Sequence, residues 1–137
     1  ASSAASDVYK RQYTDFKYMD FKITTNEKDN DVEILVNFKI TNKGKKAGKE
    51  IAQIYISDLE ASVERPAIEL KAFEKISLKA GETKEVEIKL NKKSLGFYDV
   101  NNKKWKVENG AFNILVGSSS KDIRLNSKVN IDSDYEF

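Results

Sequence analysis

Residues that could perform catalysis are restricted in type in this 137-residue chain. It contains no histidine and no cysteine, so Ser-His-Asp triads, thiol nucleophiles and Cys/His zinc sites cannot form within it. Its 22 Asp and Glu residues could supply a pair of carboxylates for acid and base chemistry. Most of these acids, however, neighbour lysines on the polar side of predicted strands, as Glu85 and Glu87 do, which is typical of a solvated sheet face. We therefore predict no catalytic residue.

Two short acidic segments, residues 29–31 and 132–134, carry the oxygen ligands that calcium prefers. The first lacks the glycine and the downstream glutamate of an EF-hand loop, and it is better interpreted as a hairpin turn. The second lies near the C-terminal end of the chain, where fraying is expected. The sequence therefore predicts no metal site and no cofactor.

The charge balance argues against two classes of partner. The net charge is +2, from 24 Lys and Arg residues against 22 Asp and Glu residues. Proteins that bind nucleic acids or anionic membranes concentrate positive charge. The chain also has no run of about 18 apolar residues that could span a bilayer. We expect neither nucleic acid nor membrane as a partner.

The elements that must position any site are strands, because apolar residues recur with a period of two from Phe16 onward. Residues 92–95 are the best candidate for a short helix. Asn- and Gly-containing turns separate the strands, which predicts an all-β, immunoglobulin-like sandwich of two antiparallel sheets, with a closed barrel as the alternative. Four rows of side chains are predicted to face the core: Val32, Ile34, Val36, Phe38 and Ile40; Val86, Ile88 and Leu90; Phe112, Ile114 and Val116; and Ile123, Leu125, Val129 and Ile131.

The first twelve residues, ASSAASDVYKRQ, share no periodicity with the rest of the chain. Residues 2–12 resemble the translation of a sequencing-library adapter, so we interpret residues 1–12 as a non-native leader and predict that they are disordered. The domain is then expected at 13–131, with a C-terminal tail at 132–137. We expect the chain to be the end of a longer polypeptide, which leaves cytoplasmic, periplasmic and secreted locations open.

Several segments in the middle of the chain form a recognisable series. They are residues 47–58, 61–66, 69–75, 80–83, 95–99, 107–110 and 116–123, with Trp105 between the fifth and the sixth. In this order and spacing the chain resembles the fibronectin type III-like domain at the C-terminal end of many family 3 glycoside hydrolases. The resemblance covers Tyr13 to Ile131. It departs from the usual family pattern at Ala72, where Gly is common, and at Gly96, where Ser is common.

The resemblance implies a fibronectin type III-like sandwich at the end of a β-glucosidase or β-xylosidase, expected to be bacterial. Such retaining enzymes use two carboxyl groups about 5–5.5 Å apart. In the family these groups belong to the preceding barrel and α/β domains, so the resemblance places no catalytic residue on this chain. It implies instead a non-catalytic module that packs on the catalytic domains of the same polypeptide and stabilises them.

Arg65 and Pro66 are the first candidates for that docking. Arginine is scarce here compared with lysine, and its planar guanidinium suits the binding of carboxylates or backbone carbonyls. Pro66 stiffens the chain and favours an extended conformation at Arg65. We predict that the loop of residues 58–68 docks on another domain with Arg65 as its anchor. The alternatives are a clamp within the domain, to a carboxylate such as Glu69, and simple exposure.

Apolar residues on the outward side of strands are the second set of docking candidates. The strand of residues 51–57 carries Ile51 and Tyr55 opposite its inward row, and Leu35 adds an apolar residue to the outward row of what is expected to be a neighbouring strand. A strand with one solvated face does not need the second set. We predict that another domain covers this patch, the alternative being scattered surface aliphatics.

Aromatic residues offer an alternative function, that of a carbohydrate-binding accessory module, because aromatic rings stack on sugars. Trp105 shares its predicted face with Val107, whereas Lys104 and Lys106 take the other, so core packing is favoured for the indole. Tyr98 is likewise interpreted as a buried ring with a structural hydroxyl. Direct contact with carbohydrate is therefore the less favoured hypothesis.

Overall fold

A computed structural model describes residues 15–137, so the predicted leader, residues 1–12, lies outside the described range. Within this range the chain forms ten strands and one short helix. The strands are β1 Phe16–Lys28, β2 Asp31–Asn42, β3 Gly48–Asp58, β4 Glu69–Leu78, β5 Thr83–Asn91, β6 Phe97–Asp99, β7 Lys104–Val107, β8 Gly110–Ser119, β9 Asp122–Ile131 and β10 Tyr135–Glu136, and the helix, α1, is Lys92–Leu95.

The strands form two main antiparallel sheets that pack face to face. One has the order β1-β2-β5 and the other the order β4-β3-β8-β9, with a small third sheet, β10-β7-β6, at one end. The predicted all-β sandwich is confirmed, in an arrangement where β2 and β3, consecutive in sequence, belong to different sheets.

The core follows the predicted alternation closely. All members of the rows on β2, β5 and β8 are buried between the two sheets. On β9 only Val129 and Ile131 are buried, while Leu125 packs at the margin and Ile123 is half-buried. Register shifts near Gly117 disturb the alternation at the start of β9, which is an edge strand.

The β1–β2 connection confirms the hairpin predicted at residues 29–31. Asp29 and Asn30 have φ angles of 53° and 58°, the two positive values that a type I′ turn requires. Because the twist of this turn matches that of the strands, β1 pairs with β2 from Phe16 opposite Asn42 to Lys28 opposite Asp31.

The crossover from β2 to β3 is organised by Asn42, whose side chain is completely buried. Its amide nitrogen donates to the carbonyl oxygens of Lys46 at 2.9 Å and Leu78 at 3.2 Å, and its amide oxygen accepts from the backbone of Gly44 at 2.9 Å. These bonds compensate the cost of burying the amide and direct the chain into the second sheet.

The C-terminal residues pack differently from the expected tail. Tyr135–Glu136 forms β10 against β7, the Tyr135 ring is buried, and its hydroxyl donates to Glu27 at 2.6 Å. The predicted helix at residues 92–95 is confirmed: Asn91 caps α1 by accepting from the Ser94 backbone at 3.2 Å.

Candidate docking surface

The loop between β3 and β4, residues 59–68, is tied to both flanking strands by Arg65. The Arg65 side chain is only 6% exposed, and its Nη1 lies 3.2 Å from the Asp58 carboxylate, which is itself 2% exposed. Its Nε and Nη2 both lie 3.1 Å from Glu69 Oε1. Burial alone would raise the pKa of Glu69, but bonds from Lys71 and Arg65 together lower it. The guanidinium therefore clamps the two ends of the loop together.

The same guanidinium also joins the loop to the segment that follows α1. Arg65 Nη1 donates to the carbonyl oxygen of Leu95 at 3.1 Å, and Nη2 donates to that of Gly96 at 3.3 Å. The central carbon of the guanidinium, Cζ of Arg65, lies 5.6 Å from the centre of the Phe97 ring. These contacts match the alternative in which Arg65 clamps the loop within its own domain, to a carboxylate such as Glu69. The docking of the loop on another domain, with Arg65 as its anchor, stays a prediction.

Further hydrogen bonds fix the first half of the loop. The Leu59 backbone donates to the carbonyl oxygen of Ala111 at 3.0 Å, and the Glu60 carboxylate accepts from the backbone of Ala111. The Ser62 backbone donates to Glu108 at 3.0 Å. The loop is thus held in one conformation by bonds within the domain.

Apolar residues project from this fixed loop into solvent. Leu59 is 46% exposed and Val63 is 44% exposed, and Pro66 between Arg65 and β4 is exposed as well. A rigid apolar loop binds a partner without the entropic cost of ordering on contact. The loop therefore has the properties of a preformed docking element.

The outer side of the four-stranded sheet carries a second group of apolar residues. Ile51 and Tyr55 point outward from β3, and the strand register places Phe73 opposite Gln53 and Leu70 opposite Tyr55. On the other side of β3, Leu115 of β8 lies opposite Tyr55. We call this group, Ile51, Tyr55, Leu70, Phe73 and Leu115, the apolar face.

Three members of the apolar face are strongly exposed: Phe73 at 68%, Leu70 at 50% and Ile51 at 40%. Tyr55 is buried among them, and its hydroxyl donates to the side chain of Gln53. Contiguous apolar patches of this kind mark interaction surfaces on soluble domains.

A β-bulge brings Leu70 onto this face, which the sequence pattern did not reveal. Simple alternation in β4 would place Leu70 with Ala72 and opposite to Phe73. The register instead pairs Ala72 with Ile54 and Leu70 with Tyr55, which leaves Lys71 as the extra residue. Ala72 consequently packs against the core, while Leu70 joins Phe73 on the outside.

Leu35 does not belong to this surface. It lies on β2, opposite Thr24 and Lys89, in the other sheet. Since the two sheets pack with their inner sides together, their outer sides face away from each other. The expectation that Leu35 extends the patch of Ile51 and Tyr55 on a neighbouring strand is therefore wrong, because the chain changes sheets between β2 and β3.

Comparison with known proteins assigns the domain. The family description "fibronectin type III-like domain" matches residues 50–120. The chain belongs to this family. The thermostable β-glucosidase B of Acetivibrio thermocellus is 44% identical over 121 residues, which are 88% of this chain and 16% of that enzyme.

Solved structures of β-glucosidases contain the same fold. The fibronectin type III-like domain described here matches β-glucosidase 3B of Thermotoga neapolitana, in complex with glucose, with a TM-score of 0.80 and 33% identity, over 91% of this chain and 17% of that one. It matches the β-glucosidase of Kluyveromyces marxianus with a TM-score of 0.81 and 36% identity, over 91% and 15%. The chain spans about a sixth of these relatives and corresponds to the non-catalytic fibronectin type III-like region of family 3 glycoside hydrolases.

Residues 15–137 contain no group of three or more Asp and Glu side chains placed to hold a metal ion. Over the same range, no helix has the length and the apolar character needed to cross a membrane.

Proposed function

We propose that this fibronectin type III-like domain packs on the catalytic domains of a longer polypeptide and stabilises them, and that this polypeptide hydrolyses β-glucosidic bonds. The carrying observation is the apolar face, which leaves Phe73, Leu70 and Ile51 40–68% exposed on a chain that spans 16% of its relative from Acetivibrio thermocellus. Contacts between domains of one chain commonly bury about 600–1,500 Å².

The loop of residues 59–68 extends this contact surface. Its exposed apolar residues, Leu59 and Val63, adjoin the end of β3 and β4 from which Tyr55 and Leu70 project. Arg65 holds the loop through hydrogen bonds to a carboxylate and to backbone carbonyls of its own domain. Arg65 is therefore a positioning residue of the surface, and the aliphatic side chains make the contact.

Packing of this kind affects catalysis indirectly. A domain that fixes the relative orientation of its neighbours also fixes loops that border their active site, and small displacements of catalytic groups are costly. Support for the β-glucosidase activity of the parent comes from the relatives, which are β-glucosidases at 33–44% identity.

A hybrid enzyme tests the proposal. In the β-glucosidase B of Acetivibrio thermocellus, the matching region of 121 residues is either deleted or replaced by the corresponding part of this chain. We expect deletion to lower the thermal stability and the yield of soluble enzyme, and replacement to restore both. Equal stability of the two proteins would contradict the proposal, as would hydrolysis of a chromogenic β-glucoside by the isolated 137-residue chain.

A further inference from the structure

Three aromatic rings form a row across the small sheet β10-β7-β6. This sheet is separate from the β4-β3-β8-β9 sheet that carries the apolar face. Tyr98 of β6 pairs with Trp105 of β7, and their ring centres lie 5.7 Å apart at 67°. Trp105 exchanges two backbone hydrogen bonds with Phe137, at 2.8 Å and 2.9 Å, and their rings lie 6.4 Å apart and nearly parallel at 14°. We call these three residues the aromatic strip.

The aromatic strip is more accessible than the sequence predicted. Tyr98 is 48% exposed and Trp105 is half-buried, so the expected burial of Tyr98 and core packing of the indole are wrong. The alternation predicted along β7 still holds, because Val107, two residues after Trp105, is fully buried on the inward side. Phe137 packs against the core, whereas Tyr98 and Trp105 are not among the residues that contact it.

Ammonium groups from α1 lie over two of the rings. Lys93 Nζ is 5.0 Å from the centre of the Trp105 ring, and Lys92 Nζ is 4.6 Å from that of Phe137. A protein partner that covered these rings would have to bury both ammonium groups, which is costly without carboxylate partners. A small polar ligand need not bury them, and because an exposed cation–π contact is weak, either side chain can move aside.

The turn between β6 and β7 is held by Asp99, whose side chain alternates to the opposite side of β6 from Tyr98. The Asp99 carboxylate accepts from the Asn102 side chain at 2.7 Å and from the backbones of Asn101 at 3.1 Å and Asn102 at 3.4 Å. These bonds lower the pKa of Asp99 and keep it charged. The turn fixes the β6–β7 hairpin that carries Tyr98 and Trp105, while the polar groups that border the rings are the ammonium groups of Lys92 and Lys93 from α1.

From these observations we propose that the aromatic strip binds the pyranose rings of a neutral oligosaccharide. The carbon-bound hydrogens of a sugar ring form an apolar face that packs on the Trp105 ring, with Tyr98, whose plane is inclined at 67° to it, against the side of the sugar. The hydroxyl groups of the sugar can accept from Lys93 and Lys92, which matches the ligand sites in which an apolar surface is combined with a few placed polar groups. The strip differs from the apolar face in this mixture, and the proposal does not depend on the docking function.

Fluorescence of the 137-residue chain tests this proposal directly, because Trp105 is its single tryptophan. Cellohexaose and xylohexaose are titrated separately to about 10 mM, a range that detects a Kd of about 1 mM. We expect a saturable change in the emission of Trp105 with at least one of the two sugars. Tyr98→Ala and Lys93→Ala should each weaken binding, Tyr98→Ala by about tenfold. Lys39→Ala changes a lysine on the outer side of the β1-β2-β5 sheet and should leave the Kd unchanged.

Chemical-shift changes in the ¹⁵N spectrum provide a second readout, and they should be confined to residues around the aromatic strip. Each variant is first shown by circular dichroism to be folded at the temperature of the titration. No saturable change with either sugar would overturn the proposal, as would binding that Tyr98→Ala and Lys93→Ala leave intact. Protection of Trp105 from a soluble quencher in the hybrid enzyme but not in the isolated chain, without sugar binding, would make the strip a second docking surface instead.

Discussion

The outer sides of the two main sheets are built by the same alternation and yet differ in chemistry. On the β1-β2-β5 sheet, the outward pairs across β2 and β5 are Asn37 with Glu87 and Lys39 with Glu85. Lys39 also lies 3.4 Å from Asp20 of β1. The β4-β3-β8-β9 sheet instead presents the apolar face, with Phe73 and Leu70 at least half exposed.

This difference separates a side that is suited to water from one that we propose is covered by another domain. Charged cross-strand pairs are satisfied in solvent and discourage other strands or domains from binding. Exposed Phe and Leu side chains gain free energy only when they are covered, at about 25 cal/mol per Å² of apolar area. The comparison predicts that substitutions on the polar side act equally in the isolated chain and in the hybrid enzyme, whereas those on the apolar side act mainly in the hybrid.

The largest effect on stability is expected from Arg65→Ala, which removes the guanidinium that joins the two ends of the loop of residues 59–68. Asp58, which is 2% exposed, would lose its charged partner, and breaking a buried pair in this way costs about 3–5 kcal/mol. The free energy of unfolding of the 137-residue chain in urea measures the loss.

Arg65→Lys should recover part of that loss, since it keeps the charge but not the fork. Lys104→Ala is the matched control, because its partner Glu136 lies 3.9 Å away with both side chains more than half exposed, and it should cost at most about 1 kcal/mol. If Arg65→Ala costs no more than this control in the isolated chain, the guanidinium does not hold the loop from within the domain.

The next largest effect is expected from Phe73→Asp. In the isolated chain this 68% exposed residue should change stability by less than about 1 kcal/mol. In the hybrid enzyme, where we propose that the ring is covered, the loss should reach about 2 kcal/mol or more and lower the Tm. Leu35→Asp is the control for the opposite side of the sandwich, with equal effects in both proteins. A larger effect of Leu35→Asp in the hybrid would transfer the docking surface to the other sheet.

A pH-dependent effect on stability is expected from Glu50. This residue lies opposite the buried Ile76 and points from β3 toward the space between the two main sheets. Burial raises the pKa of Glu50, against the opposing effects of the Tyr18 hydroxyl and of Arg124. A carboxyl group whose pKa is raised by folding stabilises the protein below its unfolded pKa, and this contribution is lost as the pH rises through the folded pKa.

Glu50→Gln should therefore be more stable than the wild type at about pH 7 and should lose this advantage at about pH 4, since the glutamine stays neutral throughout. Its side chain can still accept the bond from the Ile51 backbone, which Glu50 accepts at 3.2 Å. Urea unfolding at the two pH values measures the difference, with the exposed Glu87→Gln as control. An advantage of Glu50→Gln that grows toward acidic pH would have the wrong sign for a buried carboxyl group.

The smallest effect is expected from Lys39→Ala on the polar side. Its pair with Asp20 has side chains 45% and 63% exposed, and such pairs contribute about 0–1 kcal/mol. The loss should be the same in the isolated chain and in the hybrid enzyme, and should shrink in high salt. A loss confined to the hybrid would show that this side also contacts another domain.

Much of the fold follows from local patterns. The inward row of β2, the turn at Asp29 and Asn30 and the helix of residues 92–95 were all predicted correctly. Each depends on residues close together in the chain: side chains alternate across a strand, two residues with positive φ close a hairpin, and a capping side chain starts a helix.

The candidate site depended on contacts that no local pattern contains. Arg65 was singled out by its type and its neighbouring proline, yet two of its bonds go to carbonyls about thirty residues away. Leu70 was missed because the bulge at Lys71 reverses the alternation of β4. The exposure of Tyr98 was missed because alternation along β6 does not show which side of a small, separate sheet the core covers.

In the regular strands β2, β5 and β8, the sequence by itself determined which side chains face inward, because the period of two is a property of the extended backbone of each strand. It also determined which chemistry is absent, since a chain without histidine or cysteine has no such ligands or nucleophiles. Only the tertiary structure decided which outward residues lie together. Leu35 and Tyr55 are both apolar and outward, but they lie on opposite sides because Asn42 directs the chain from one sheet into the other, and strand neighbours are set by such long-range packing.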